Sequence, residues 1–526
     1  MTLPLKTTWS KKIYIYLLFV VLHLFLMNVN TAEWGDTYRI LRASEFIRND
    51  FSYPLDEKRP PLFSLILAVR PSGVDQVMWG RGVMFVTSLA IFYLFDKLTD
   101  LVFKKEKIKN ISLLLFALNP VFLYWSLRVY ADTFFALLVV ASFFLLKSWE
   151  KELDVKKIVV LGLLSGLSIL TRFEGYVLFI SMLVGVLYSN EGLDIRPKKF
   201  LKLLGAKSKN LVILGLTTFI SVLPYLAFRN PLTSQYFSEP ERRVYDFKMI
   251  WAYLISLLYI FGFVYGFFFL FKKPNVVIDF LKKNAGILTF LIIEAVLILL
   301  WPAAIPRLFV PIIPFLILLF MISFDSFIDS GKPLEFKDYI FLGFLLGFYV
   351  SSQYFLRLQF LILNVEILAF LIVIQLVMIF FLYKKSYFIF LYLSLVSCFV
   401  WAFSTIYLHK DIYTAVRSAS MYARENINGN ISFNDTTSIS DWYINYADPA
   451  STISGFFYPL NLDDSVSYQK LLEYKITHLL VTNEDSVSVS PEVKRKSYLK
   501  LIKDFRYNIG SRPFYAEIYE FTGGLK

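Results

Sequence analysis

Two carboxylates and a set of arginines occupy positions suited to chemistry on a membrane-borne substrate. Glu33 and Asp36 lie in Ala32-Glu33-Trp34-Gly35-Asp36-Thr37-Tyr38, just after a first apolar stretch covering 13–29. A carboxylate near a low-dielectric boundary is pushed toward a neutral-range pKa, which suits proton abstraction from a hydroxyl or amine. Asp36 is therefore the candidate general base. Glu33, three residues earlier, would share a helical face with it, and could itself be the base or help ligate a divalent ion. The plainer alternative is a helix cap with a solvent-facing charge.

Further along, Lys58-Arg59-Pro60-Pro61-Leu62-Phe63 opens an apolar run too short to span a bilayer, and proline suits the start of such a helix. Arg128-Val129-Tyr130-Ala131-Asp132 and Thr171-Arg172-Phe173-Glu174 fall at two tight turns between apolar runs. Arg128 and Asp132 are spaced to pair, and Glu174 to orient Arg172. Arg307 follows the proline-broken stretch Trp301-Pro302-Ala303-Ala304-Ile305-Pro306, a helix end expected to line a cavity, with Glu294 a weaker pointer to the same cavity. Lys58, Arg59, Arg128, Arg172 and Arg307 are the candidate phosphate ligands. Asp132, Glu174, Arg242 and Arg243 are candidate substrate contacts, the last two in Glu239-Pro240-Glu241-Arg242-Arg243.

The elements that must hold these residues follow from composition. Of 526 residues, 57% are hydrophobic and only 18% charged, far from the balance of a soluble globule. The pattern predicts an all-α polytopic membrane protein of about 13 transmembrane helices, near 13–29, 79–96, 110–126, 130–147, 157–171, 174–189, 210–228, 250–271, 285–302, 306–324, 338–355, 360–383 and 386–408. With the N-terminus inside, the basic residues of the inner segments are lysines save Arg196. On the outer side, counting residues before His409, only Lys58 and Lys248 are lysines and the rest are arginines. This is the positive-inside pattern, and it places the C-terminal segment outside. Arginine is the side chain that grips phosphate or carboxylate bidentately, so the outer face reads as an anion-binding surface. That sidedness also assigns the +13 net charge to membrane topology and argues against nucleic acid as a partner.

Residues 1–409 thus form a transmembrane domain with a long outer loop at 30–78, and 410–526 a polar extracytoplasmic α/β domain. The tail predicts a helix at 468–474, a strand at 477–482, a second helix near 498–505 and a strand at 514–520. Asn430-Ile431-Ser432 and Asn434-Asp435-Thr436 match the glycosylation sequon. Cys398 is the single cysteine, so there is no disulfide framework. No phosphate-cradling glycine loop or Ser/His/Asp set is present.

Together these motifs resemble the GT-C integral-membrane glycosyltransferases, in the branch of protein O-mannosyltransferases and aminoarabinose–lipid A transferases. Asp36 stands at the acidic motif of the first outer loop, Arg59-Pro60-Pro61-Leu62 at a basic-Pro-Pro-Leu element, Asp132 at the start of the fourth span, and Arg307 ahead of a proline-rich late span. The family's Asp-Glu pair is here Gly35-Asp36 with Glu33 upstream, so which carboxylate is the base stays open. The oligosaccharyltransferase signature Trp-Trp-Asp-Tyr-Gly is absent, with Asp441-Trp442-Tyr443 only a faint echo.

The resemblance implies inverting transfer of a sugar from a polyprenyl-phosphate donor to a protein, lipid or glycan acceptor on the outer face of the cell membrane, among membrane lipids. No cofactor is identified. In this branch a divalent metal is optional, and Glu33, Asp36 and Asp132 are the carboxylates that would hold one. Two other classes compete: a secondary transporter or flippase of envelope precursors, and a non-catalytic envelope-assembly protein.

Overall fold

The computed structural model describes residues 9–194, 196–229, 247–301, 305–356, 365–447, 453–457, 465–487, 489, 497–509 and 512–522. They divide into two compact units. One comprises residues up to Phe25, Lys58–Phe63 and Gly80–Thr405, and the other Leu26–Glu57, Ser64–Trp79 and the residues from Ile406 onward.

The first unit is helical. Every stretch expected to be a span contains helix, but among the described residues five helices are long and apolar enough to cross a membrane, or up to seven if each of two bent pairs counts once. This is a multi-pass membrane protein, and the crossing count of thirteen goes beyond that test.

The expected continuous span at 250–271 is broken into Phe247–Ile260 and Gly266–Lys272. Gly262 sits at the break with φ +71°, and a Cβ there would stand 2.7 Å from Cys398 Sγ. Only glycine meets both demands. The run at 110–126 bends by 53° between Glu106–Ala117 and Pro120–Ser126. Asn119 makes that corner, accepting from the Phe122 amide and donating to the Ile260 carbonyl at 2.5 Å.

Helices Gly175–Tyr188 and Ala285–Leu300 run side by side because small residues meet between them: a Cβ on Gly286 would be 2.8 Å from the Ser181 carbonyl and 3.1 Å from Gly185 Cα. Close backbone approach of this kind is how helices pack where apolar side chains gain nothing by leaving lipid. Much of the remaining core is aromatic, Phe261, Phe263, Phe269, Phe320, Phe324 and Phe390 forming one ring-on-ring cluster.

The second unit holds a five-stranded sheet in the order β2-β1-β3-β5-β4: β1 Asn430–Phe433, β2 Ser454–Phe457, β3 Ile476–Thr482, β4 Leu499–Ile509 and β5 Arg512–Phe521. β1 is parallel to β2 and β3, while β5 is antiparallel to β3 and β4. Helix Thr414–Asn426 packs Ala415, Ala419 and Ala423 against Ile431, Leu480 and Ile518. That i, i+4 alanine stripe brings the helix axis close to the sheet.

The expected helix at 468–474 appears as Ser465–Glu473, and the strand at 477–482 as β3. The helix expected at 498–505 is instead β4. Its Lys- and Leu-rich composition favours helix locally, but residues 499–509 pair with β5 along their length, and pairing overrides local preference. Lys500, Lys503 and Arg506 decorate this outermost strand as edge strands require.

The two sequons differ. Asn434 is fully buried and its amide is engaged: it donates to the Thr482 and Val487 carbonyls and accepts from the Thr482 amide. It serves as a structural clasp between chain segments. Asn430 is partly exposed at the start of β1.

Candidate functional site

The loop that carries the acidic pair is built into the second unit. Helix Gly35–Asp50 starts at Trp34, whose carbonyl accepts from the Thr37 amide at 2.8 Å. Asp36 thus lies in the first helical turn, where the helix dipole favours an anion. It is partly exposed, whereas Glu33 is fully buried. The Gly35 position has no room for a side chain: a Cβ would lie 2.7 Å from the Thr437 Cβ and closer still to its carbonyl. Thr31 donates to the Lys410 carbonyl, and the Trp34 ring meets Tyr413 edge-on at 5.6 Å.

A chain of phenols continues this anchoring. The Glu33 amide donates to Tyr38 Oη at 3.1 Å, Tyr38 Oη lies 3.4 Å from Tyr443 Oη, and Arg417 Nε donates to Tyr443 Oη at 3.1 Å. On the next turns of the helix, Arg42 bridges Asp56 and Asp441 and lies 5.9 Å from the Tyr446 ring centre. Sequence reasoning missed Tyr38, Arg417 and Tyr443. The only signal was the Asp441-Trp442-Tyr443 stretch, and nothing local says that it meets residue 38.

Tyr413, against which Trp34 packs, has φ +59°, in the left-handed region. Its amide donates to Glu484 at 2.7 Å and its hydroxyl to Asp485. Burial pushes the Glu484 carboxyl up to about 8. The Asp485 and Asp435 charges push the same way, and the Tyr413 amide and Arg512 oppose them. Glu484 Oε2 has no hydrogen-bond partner among the described residues.

In the first unit most of the expected anion ligands gather on a few turns. Segment Lys58–Phe63 is pinned by the Leu62 amide, which donates to the Leu170 carbonyl at 2.8 Å, and by Phe63 packing on Phe134. A short helix, Leu62–Ala68, follows the two prolines as expected. Two residues beyond Leu170, Arg172 forms an ion pair with Asp132 at 2.5 Å and forks onto Glu174, with Nε to Oε2 at 3.1 Å. The expected Arg128–Asp132 pair does not form, since the partner of Asp132 is Arg172. Arg128 is wholly buried and lies 5.2 Å from the Tyr124 ring centre. Arg307, on a 3-10 turn Pro306–Phe309, lies 4.7 Å from the centre of Tyr130 and 6.0 Å from that of Trp125. The rings Tyr124, Trp125 and Tyr130 touch in series, so Arg128 and Arg307 share one aromatic cluster. Arg242 and Arg243 lie outside the described residues.

Between helices Gly175–Tyr188 and Ala285–Leu300, at the end away from the Gly185–Gly286 contact, a cleft of about 480 Å³ opens. Phe173, Tyr176, Leu297, Trp301 and Leu308 give it apolar walls, and Glu174 and Glu294 line it too. The cavity expected at the Trp301–Arg307 break is therefore present. Among the described residues no three His, Cys, Asp or Glu side chains are placed to hold a metal ion.

Residues 58–224 match the family described as Dolichyl-phosphate-mannose-protein mannosyltransferase. No curated protein matches the chain by sequence. Among solved structures, ArnT from Cupriavidus metallidurans bound to undecaprenyl phosphate superposes with a TM-score of 0.63 at 12% identity, over 99% of each chain. The chain has the GT-C glycosyltransferase fold.

A second GT-C structure agrees. The oligosaccharyltransferase AglB from Archaeoglobus fulgidus, in complex with an inhibitory peptide and a dolichol-phosphate, gives a TM-score of 0.51 at 12% identity over 90% of this chain and 70% of that one. The resemblance read from the motifs, to GT-C glycosyltransferases of the mannosyltransferase and ArnT branch, is borne out, and so is the enzyme class it implies.

Proposed function

We propose that this GT-C glycosyltransferase moves a sugar from a polyprenyl-phosphate donor to an acceptor outside the cytoplasm, with inversion at the anomeric carbon. The acceptor is a protein, lipid or glycan. The observation that carries the reading lies within the helical unit. There, Arg172 pairs with Asp132 and Glu174, the Lys58–Phe63 segment is hydrogen-bonded to Leu170 two residues before Arg172, and Glu174 lines an apolar cleft. A lipid phosphate needs that combination of apolar walls and fixed guanidinium donors. The donor phosphate is assigned to Lys58, Arg59, Arg128, Arg172 and Arg307, and contact with the rest of the substrates to Asp132, Glu174, Arg242 and Arg243.

Asp36 is the base in this mechanism. It is partly exposed where Glu33 is sealed, and it sits in the first helical turn, where the dipole favours negative charge. It takes the proton of the acceptor hydroxyl or amine. The freed lone pair attacks the anomeric carbon as the carbon–oxygen bond to phosphate breaks, and polyprenyl phosphate leaves with that electron pair. Arginine charge stabilises the leaving group. A lipid phosphate leaves readily once so neutralised, so no metal step is required.

In topology the reading keeps about thirteen spans, an N-terminus inside, and residues 410–526 as an outer C-terminal domain that packs with part of the long outer loop.

The test is turnover. The purified full chain in lipid nanodiscs is given polyprenyl-phosphate hexoses and pentoses with protein, lipid and glycan acceptors, and release of polyprenyl phosphate is followed with the product's anomeric configuration. Transfer with inversion supports the reading. Retention, or binding and translocation of the lipid without cleavage, overturns it.

A further inference from the structure

One carboxyl is left over once the ion pairs of the cleft are assigned. Asp132 and Glu174 both pair with Arg172. Glu294 lines the cleft beside Glu174, is only 3% exposed, and has an oxygen, Oε2, with no hydrogen-bond partner among the described residues. It lies within electrostatic reach of Glu174, Arg172 and Asp132. Two carboxylates thus pair with one guanidinium, and a third carboxyl, Glu294, lines the same otherwise apolar cleft as Glu174.

Burying a carboxyl with unused hydrogen-bonding capacity costs free energy that a well-packed apolar residue at the same place would avoid. The Gly185–Gly286 contact already holds the two helices together without it. The position therefore matters when the cleft is filled. A ligand group that donates a hydrogen bond recovers the cost. One that brings another anion meets like charge in a low-dielectric setting, where the penalty is large.

We infer that Glu294 is a specificity-determining residue of the cleft: it accepts a hydrogen bond from a hydroxyl or amine on the head of the lipid-linked ligand, and it turns away heads that carry a carboxylate. The inference rests on the proposed lipid-linked donor and narrows its chemical class to neutral or amine-bearing sugars, with uronic acids excluded. The residue works by both attraction and rejection, as specific sites commonly do.

The experiment compares two probes of equal chain length, a polyprenyl-phosphate hexose and the corresponding polyprenyl-phosphate hexuronic acid. Both are presented to the full chain in nanodiscs, and are scored by turnover and, separately, by retention in native mass spectrometry. Wild type is expected to favour the neutral probe by tenfold or more. Glu294→Gln keeps the shape and a hydrogen-bond acceptor but removes the acid, and should close that gap by about tenfold. Glu294→Leu should lose affinity for the neutral head while still retaining polyprenyl phosphate without sugar, which separates loss of the contact from loss of fold.

Equal retention of both probes by wild type overturns the inference, as does an unchanged ratio in Glu294→Gln. If neither probe is turned over, the proposed transferase activity fails. The retention ratio still decides the role of Glu294.

Discussion

Arg172 reaches across forty positions of sequence to Asp132, Nη1 to Oδ1 at 2.5 Å, while forking onto its near neighbour Glu174. The guanidinium side chain is 11% exposed and the Asp132 carboxylate 3%. Removing one partner of such a buried pair leaves charge uncompensated, at a cost of roughly 3–5 kcal/mol. Arg172→Ala should approach that loss because it strands two carboxylates. Asp132→Asn should cost less, about 1–3 kcal/mol, because Glu174 still holds the guanidinium. Unfolding midpoints in a fixed detergent test the order. Equal costs for the two variants would mean that Glu174 contributes nothing.

Asp36→Asn preserves size and removes the proton acceptor. Transfer should fall by about 10²–10⁴-fold, the usual share of general-base catalysis, while lipid-donor binding persists. Glu33→Gln should cost less turnover. Near-normal transfer in both single variants and in the double variant would leave the acidic loop without a chemical role.

Stability should fall with rising pH through one identified group. Glu484 ionises near its ordinary 4.5 when unfolded, but is held at about 8 when folded, chiefly by burial. Below 4.5 the carboxyl is neutral in both states. Between 4.5 and 8 the folded chain keeps a proton that the unfolded chain has lost, so stability declines with pH across that window and then levels off. Glu484→Gln should flatten the decline while preserving the Tyr413 contact. Denaturation midpoints of the two proteins from pH 5 to 8.5 provide the check, and parallel slopes would exclude Glu484 as the cause.

Asn434 should remain unmodified in a host that glycosylates sequons, because its amide is consumed by Thr482 and Val487. Asn434→Ala should destabilise the fold by about 1–3 kcal/mol through the partners it leaves unsatisfied. Glycopeptide mapping and an unfolding curve test the two halves of this statement.

An enzymatic reporter active only outside the cytoplasm should work when fused after Lys526 and fail when placed within 190–209. The opposite result would reverse the assigned sidedness.

What the sequence disclosed was local or periodic. Long apolar runs located the helices, and Pro60-Pro61 marked the start of Leu62–Ala68, whereas Glu33 shares no helical face with Asp36 because the helix starts at Gly35. The pairing of Arg172, a candidate phosphate ligand, with its near neighbour Glu174 was legible. The attachment of Arg172 to Asp132 was not, because Arg128 stood nearer in sequence and only the packing of two turns decides between them. The Tyr38–Tyr443–Arg417 chain joins residues about four hundred positions apart and has no spacing rule to betray it. The strand 499–509 was misread for the same reason: its identity depends on β5, which follows it.

Gly35 fits only against Thr437, and this fixes an order in time. The segment bearing Asp36 leaves the ribosome about four hundred residues before the surface that shapes it is synthesised. Such a contact of extreme sequence separation closes late and slowly. Until then the nascent protein carries the proposed base on an unfinished loop. Chains terminated before residue 437 would reach the membrane with their apolar helices and without a formed acidic site, so premature truncation should yield inert protein, with no misdirected transferase among the products.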